Sequence, residues 1–153
     1  MRFLELKIPP VILVLGLGTL MWLATRATPG LGLVLPGREA IAAVLALTGS
    51  VIAMAGVISF RRAKTTVNPL QPAGASHLVT SGVYRRTRNP MYLGMLLALV
   101  GWALWLTHPG ALAVALTFVP LMNRLQIVPE ERALAALFGR VFADYRAKVR
   151  RWL

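Results

Sequence analysis

Four stretches of the chain are apolar and almost free of charged residues, and basic or turn-forming segments separate them. The stretches cover residues 8–25, 40–60, 91–107 and 110–128. About 20 apolar residues are needed to cross a bilayer as a helix. The second stretch meets this length, while the other three are slightly short, so tilt or local bilayer thinning is expected. The pattern predicts about four transmembrane helices.

A fifth helix, predicted after the last apolar stretch, has a different pattern. Pro129 suits the first turn of a helix, and apolar residues then recur at three- and four-residue steps with basic residues between them. This spacing is typical of an amphipathic helix that lies at a membrane surface. The predicted fold class is therefore all-α integral membrane, with about four transmembrane helices and a C-terminal amphipathic interfacial helix.

The composition agrees with a membrane protein and excludes several other classes. Hydrophobic residues make up 57% of the 153 residues and charged residues 14%, whereas a soluble domain has roughly 25% charged residues. Such a chain is also too hydrophobic to be disordered. The absence of cysteine excludes disulfides and thiolate metal sites, and no metal is expected. Residues 1–153 are predicted to form a single domain.

The net charge of +12 is unevenly distributed along the chain. With four spans, only Arg26 and Arg38 fall in the first outer loop, which leaves 15 of the 17 basic residues on the opposite side. The positive-inside rule makes that side cytoplasmic, with both termini inside, and the expected location is the inner membrane of a prokaryote. The charge is thus explained by membrane topology, and no nucleic-acid partner is expected.

The two longest polar segments, residues 61–90 and 129–153, are predicted to lie in the cytoplasm and to form the cofactor-binding region. The first has turn signals and reads as an ordered loop that leads into the third helix at Pro90, with Asn89 as N-cap. The start of that helix, beside Arg88, suits an anion such as a carboxylate.

Two of the five acidic residues, Glu130 and Glu131, lie side by side just after the fourth apolar stretch. In the first turn of a helix they complement the helix dipole and can pair with nearby arginines. Equally, they can provide an anionic partner for an ammonium or sulfonium group at the membrane face. The pattern alone leaves both interpretations open.

Several short motifs in this order resemble one known family. They are His77-Leu78-Val79-Thr80-Ser81-Gly82-Val83-Tyr84, Arg88-Asn89-Pro90-Met91-Tyr92-Leu93-Gly94, Glu130-Glu131, and Phe138-Gly139 through Tyr145 to Val149. Together they are similar to the isoprenylcysteine carboxyl methyltransferases, a set that includes phospholipid N-methyltransferases and small prokaryotic membrane methyltransferases. Asn89 replaces the usual histidine of the second motif, and Phe142 stands where a tyrosine is common.

The resemblance implies S-adenosylmethionine as methyl donor, with S-adenosylhomocysteine as product. The reaction would be a direct displacement onto a lipophilic acceptor in the bilayer, namely the carboxylate or the amine of a lipid or prenylated small molecule. A carboxylate needs no base, whereas an amine must lose a proton, for which Glu131 or water could serve. The implied cofactor-binding residues are His77, Leu78, Val79, Gly82, Tyr84, Arg88, Asn89, Pro90, Tyr92, Gly94, Glu130 and Glu131.

Catalytic roles are expected for Arg88, Tyr92 and Glu131. Arg88 can hold the carboxylate of the donor, and Glu130 or Glu131 its ammonium or ribose hydroxyls. Tyr84 or Tyr92 can face the sulfonium through a cation–π contact. Gly94, one turn into the third helix, serves either ligand approach or close helix packing.

Two alternatives remain at the level of sequence. Sterol-type membrane reductases resemble this family in their C-terminal halves, and such an enzyme would bind NADPH. A non-enzymatic bundle whose basic face binds anionic lipid would also explain the charge asymmetry. Binding of S-adenosylhomocysteine, NADPH or neither separates the three hypotheses.

Overall fold

In the computed structural model, residues 4–65, 70 and 74–153 are described, and their regular structure is helical throughout. These residues form five α-helices, with short 3₁₀ turns at Pro29–Leu31 and Gly82–Arg85 and a π-helical turn at Asn123–Ile127 that joins the last two helices. The helices are α1 (Pro10–Ala27), α2 (Arg38–Arg62), α3 (Pro90–Leu106), α4 (Pro109–Met122) and α5 (Val128–Lys148).

Among the described residues, three helical stretches are long and apolar enough to cross a membrane. They are α1, α2 and the run Pro109–Lys148, whose 40 residues include one apolar window of 18 residues, while α3 is a shorter apolar helix of 17 residues. At 1.5 Å per residue α3 measures about 26 Å, slightly less than the hydrocarbon thickness. The predicted class, an all-α integral membrane protein with a C-terminal amphipathic helix, is confirmed.

Helices α2 and α3 pack closely because glycines face each other at their contact. A Cβ added at Gly49 would lie 2.5 Å from the carbonyl oxygen of Gly94, and one added at Gly94 would lie closer still to the carbonyl oxygen of Gly49. Further along, a Cβ at Gly101 would lie 3.1 Å from the carbonyl oxygen of Ala42. The small residues therefore allow close backbone approach between helices in lipid.

The buried core lies between α1, α3 and α4. Met21, Phe118 and Met122 are among its most deeply buried side chains, and Leu99 and Ile127 extend it to α3 and the π turn. Because this core reaches both the π turn and α3, it supports the helix ends on which the predicted site residues lie.

Helix α5 is not one straight amphipathic helix. Gly139 has φ of 49° and ψ of −120°, so the helix kinks there. Such a positive φ is easily adopted by glycine and strained for most other residues. The kink divides the segment that carries Glu130 and Glu131 from the segment that leads into the C-terminal tail.

Candidate active site

A cavity lies where the loop that precedes α3 meets the first residues of α3 and both halves of α5. Nine of the twelve predicted cofactor-binding residues line this cavity. They are His77, Leu78, Val79, Tyr84, Arg88, Asn89, Tyr92, Glu130 and Glu131. Residues from four separate parts of the sequence are thus brought together.

The other three predicted residues lie outside the cavity lining. Gly94 faces α2, as described above, so the close-packing alternative accounts for its small size. A Cβ at Gly56 of α2 would lie 3.1 Å from the Cγ of Pro90, which therefore packs on that helix. Gly82 has φ of 62° and begins a 3₁₀ turn, so it shapes the backbone beside Tyr84.

An ion-pair network closes one wall of the cavity. Arg88 donates from Nη2 to Oε1 of Glu131 at 2.7 Å. Arg151 binds the same carboxylate twice, from Nε to Oε1 at 3.0 Å and from Nη2 to Oε2 at 2.7 Å. Charge-assisted and bidentate bonds of this kind are the stronger hydrogen bonds in proteins. Both oxygens of Glu131 are therefore engaged by arginines.

Arg88 also has a donor that its protein neighbours do not use. Its Nη1 donates to the backbone carbonyls of Arg146 and Val149, at 3.0 and 3.2 Å. Its Nε, in contrast, is buried and has no acceptor in the described part of the chain. Burial lowers the pKa of Arg88, while the charge of Glu131 opposes this change. An unsatisfied buried donor costs roughly 1–3 kcal/mol, so an acceptor at this position would be stabilising.

Glu130 provides a negative charge on the same cavity. Tyr92 donates its hydroxyl to Oε2 of Glu130 at 3.2 Å, and no basic side chain of the described residues forms an ion pair with Glu130. Loss of water contact raises the pKa of Glu130 to about 7; the hydroxyl of Tyr92 lowers the pKa and the charge of Glu131 raises it. The carboxylate therefore lacks the cation that would stabilise it.

Aromatic rings also line the cavity. The rings of Phe60 and Tyr84 meet edge to face with centroids 5.3 Å apart, and the hydroxyl of Tyr145 donates to the backbone carbonyl of Tyr84 at 2.7 Å. Burial raises the pKa of Tyr84 above its usual range and that of Tyr145 to about 12. Both phenols are therefore neutral near pH 7 and offer π faces to a cation.

The C-terminal tail folds back along the segment that leads into α3. The backbone N–H of Arg88 donates to the carbonyl of Arg150 at 3.0 Å. Asn89 occupies the N-cap position of α3, but its side chain makes no capping bond. Instead its Nδ2 donates to the carbonyl of Arg151 at 2.9 Å. Asn89 therefore binds the tail as well as lining the cavity.

Some cavity residues were not among the predicted site residues. These are Phe60, Ala75, Met91, Ile127, Leu134, Phe142 and Tyr145. Leu134, Phe142 and Tyr145 belong to the apolar periodicity of α5, and that periodicity was the sequence signal that could have identified them. Arg151, which binds Glu131 outside the cavity lining, gave no signal because it is one of many basic residues near the C-terminus. Among the described residues no group of three His, Asp or Glu side chains could hold a metal ion.

The sequence is similar to several known proteins. Residues 38–141 match the phospholipid methyltransferase family. A probable protein-S-isoprenylcysteine O-methyltransferase of Oryza sativa is 35% identical over 107 residues, 69% of this chain and 56% of that protein. The protein-S-isoprenylcysteine O-methyltransferase A of Arabidopsis thaliana is 33% identical over 107 residues, 69% of this chain and 54% of that protein.

A shorter relative is a Haemophilus influenzae protein described as uncharacterized, which is 43% identical over 63 residues, 41% of this chain and 100% of its own length. The chain spans just over half the length of the plant relatives. The family match covers α2 to the kink of α5 and includes every predicted site residue. The chain therefore belongs to the phospholipid methyltransferase family.

Proposed function

We propose that this protein is an S-adenosylmethionine-dependent methyltransferase that methylates a lipophilic acceptor in the membrane by direct displacement. The observation that carries the proposal is a pair of opposite, incompletely matched charges on one cavity. Arg88 has a buried Nε without an acceptor, and Glu130 has no basic partner among the residues described. The amino-acid part of the donor carries one carboxylate and one ammonium, which complement these two groups.

Each wall of the cavity suits one part of the donor. Arg88 would donate from Nε to the carboxylate, and Glu130 would bind the ammonium. The rings of Tyr84 and Tyr92 would face the sulfonium, a contact worth about 0.5–2 kcal/mol. Leu78 and Val79 would provide apolar contact for the adenine. His77, Asn89 and the aromatic side chains complete the enclosure.

Glu131 acts in this proposal through Arg88 and Arg151 rather than by binding the donor. Its two oxygens are already engaged by arginines, so it holds the guanidinium of Arg88 in place. Orientation of this kind can supply part of the roughly 7–11 kcal/mol available from holding reactants in line. When bound, S-adenosylmethionine supplies an electrophilic methyl group that passes to the acceptor.

The acceptor is proposed to be a carboxylate or an amine on a lipid or prenylated small molecule. The apolar helices that surround the site support a lipophilic acceptor, because such a molecule can reach the cavity from the bilayer. A carboxylate would be methylated without a base. An amine would have to lose its proton to water, because Glu130 already binds the ammonium of the donor in this proposal.

The cavity is small, about 70 Å³, which is less than an adenosyl group occupies. We infer that the loop bearing Ala75, His77, Leu78 and Val79 moves outward to admit the donor and returns over it. This loop forms one side of the cavity and is less deeply packed than α3, since His77 is exposed and Leu78 is half-buried.

The charge distribution supports a cytoplasmic location for the site and both termini, in the inner membrane of a prokaryote. It gives less support to a reductase, because the phosphates of NADPH would meet the carboxylates of Glu130 and Glu131. A lipid-binding bundle without an enzymatic site would not explain a buried arginine paired with aromatic walls and an unmatched glutamate.

Isothermal titration of the purified protein in detergent tests the proposal. We expect the protein to bind S-adenosylhomocysteine and not NADPH. Arg88→Ala and Glu130→Gln should each weaken this affinity at least tenfold, because each removes one charged contact worth about 1.4 kcal/mol or more. Arg85→Ala is the matched control, since Arg85 is exposed and does not line the cavity. Binding of NADPH, or no binding of S-adenosylhomocysteine, would contradict the proposal.

A further inference from the structure

The π turn Asn123–Ile127 binds three different segments of the chain. Oδ1 of Asn123 accepts a hydrogen bond from Nε1 of Trp152 in the C-terminal tail at 3.1 Å. The carbonyl of Leu125 accepts the backbone N–H of Leu6 at 2.9 Å. The side chain of Gln126, which is buried, hydrogen-bonds to the hydroxyl of Tyr92 in the cavity.

The local sequence explains why this turn is available for such contacts. Pro129 has no backbone N–H, so the carbonyl of Leu125, four residues before it, cannot make the usual α-helical bond. The chain adopts a π turn there, a feature often found at functional sites. The backbone N–H of Leu6 donates to this free carbonyl. The side chain of Asn123 accepts the hydrogen bond from the tail.

Two adjacent residues hold the tail: Trp152 packs on the core, and Arg151 binds the cavity residue Glu131. The indole of Trp152 packs edge to face on Phe118 of the core, with centroids 6.4 Å apart. Arg151 binds both oxygens of Glu131, and its carbonyl accepts the side chain of Asn89. A shift of Trp152 would therefore displace the groups that hold Glu131 and Asn89.

We propose that Asn123 and Trp152 are positioning residues whose hydrogen bond anchors the C-terminal tail and so holds Arg151 on Glu131 and Arg88 in the cavity. Neither residue lines the cavity, so their effect on ligand binding passes through the tail. The effect on donor affinity rests on the proposed function, whereas the anchoring of the tail does not.

The chain offers variants that separate this role from simple loss of packing. Trp152→Phe retains an aromatic ring against Phe118 but removes the indole N–H. Asn123→Leu removes the acceptor, while Asn123→Asp retains it. Lys148→Ala is a matched control, because Lys148 is exposed and its side chain makes no ion pair in the described structure.

Two measurements test the anchoring without a ligand. The chain has no cysteine, so Leu153→Cys gives one site for a spin label at an exposed position. We expect Asn123→Leu and Trp152→Phe to increase label mobility, and Asn123→Asp and Lys148→Ala to leave it low.

The second measurement is thermal unfolding. The loss of Tm in the double variant Asn123→Leu, Glu131→Gln should be smaller than the sum of the losses in the two single variants. A label that stays immobile in Asn123→Leu and Trp152→Phe, or additive losses of Tm in the double variant, would overturn the proposal.

Titration with S-adenosylhomocysteine then tests the effect on the cavity. Asn123→Leu and Trp152→Phe should each raise the Kd about tenfold. Asn123→Asp, which keeps the acceptor, should have a Kd within about twofold of the parent. Unchanged affinity in variants whose label is mobile would overturn the positioning role. If the parent protein binds no S-adenosylhomocysteine, the proposed function fails, while the label and unfolding measurements still decide whether the tail is anchored through Asn123.

Discussion

Arg88 at the start of α3 and Glu131 in the first turn of α5 form a 2.7 Å ion pair although 43 residues separate them in the sequence. Their side chains are only 9% and 11% exposed. The pair joins two helix ends that meet at the cavity, and Nε of Arg88 has no acceptor in the described part of the chain. The contact therefore serves both the fold and the site.

Removal of the carboxylate should destabilise the protein. In Glu131→Gln, two arginines lose their shared counter-ion, and loss of one partner from a buried pair typically costs about 3–5 kcal/mol. Because Arg151 is one-third exposed, we expect a loss of about 2–4 kcal/mol in the free energy of unfolding. Glu39→Gln is the control, since its ion pair with Arg38 is exposed, and it should change stability by less than about 0.5 kcal/mol. Equal effects of the two substitutions in denaturant unfolding would contradict this account.

Donor affinity should depend on pH through Glu130. Burial raises the pKa of Glu130 to about 7, so the carboxylate is mostly protonated at pH 6 and mostly ionised at pH 8. Since the ammonium of the ligand requires the ionised form, the Kd for S-adenosylhomocysteine should fall about tenfold between pH 6 and pH 8. In Glu130→Gln the dependence should disappear. If the Kd had the same pH dependence in the parent and in Glu130→Gln, a group other than Glu130 would be responsible for it.

The fold and much of the cavity lining are readable from the sequence because they depend on local patterns. Apolar stretches define the helices, and the motif around Arg88 marks the start of α3. The kink at Gly139 and the π turn are harder to predict, since glycine and proline allow several backbone geometries. The role of Arg151 depends on how the tail folds back, a tertiary contact to a carboxylate 20 residues away that no periodicity indicates. The sequence left the role of Gly94 open for the same reason.

Close packing of α2 on α3 should be sensitive to a single methyl group. Gly94→Ala would place Cβ against the backbone of Gly49, which cannot move as a flexible side chain would. We expect a loss of about 1–3 kcal/mol or more from overpacking. Gly16→Ala is the matched control, because nothing lies within 4 Å of a Cβ there and alanine favours the helix. Comparable thermal stability of the two variants in detergent would refute the packing role.

Ligand binding should order the loop beside the cavity. If residues 75–79 move outward to admit the donor and then cover it, their amides should exchange more slowly with deuterium when S-adenosylhomocysteine is present. The loop at residues 29–37, between α1 and α2, should exchange at the same rate in both states. Exchange at 75–79 that is unchanged by a saturating ligand would show that the loop does not cover the site.

The central claim is that opposite charges on one cavity hold a methyl donor for transfer to a molecule in the bilayer. The most direct test is transfer of label from methyl-labelled S-adenosylmethionine to total lipid extract by the protein in lipid nanodiscs. We predict a labelled apolar product whose rate of formation falls at least about 100-fold in Arg88→Ala, because misplacement of the donor removes the in-line geometry. No labelled product, or equal labelling by Arg88→Ala, would contradict the account.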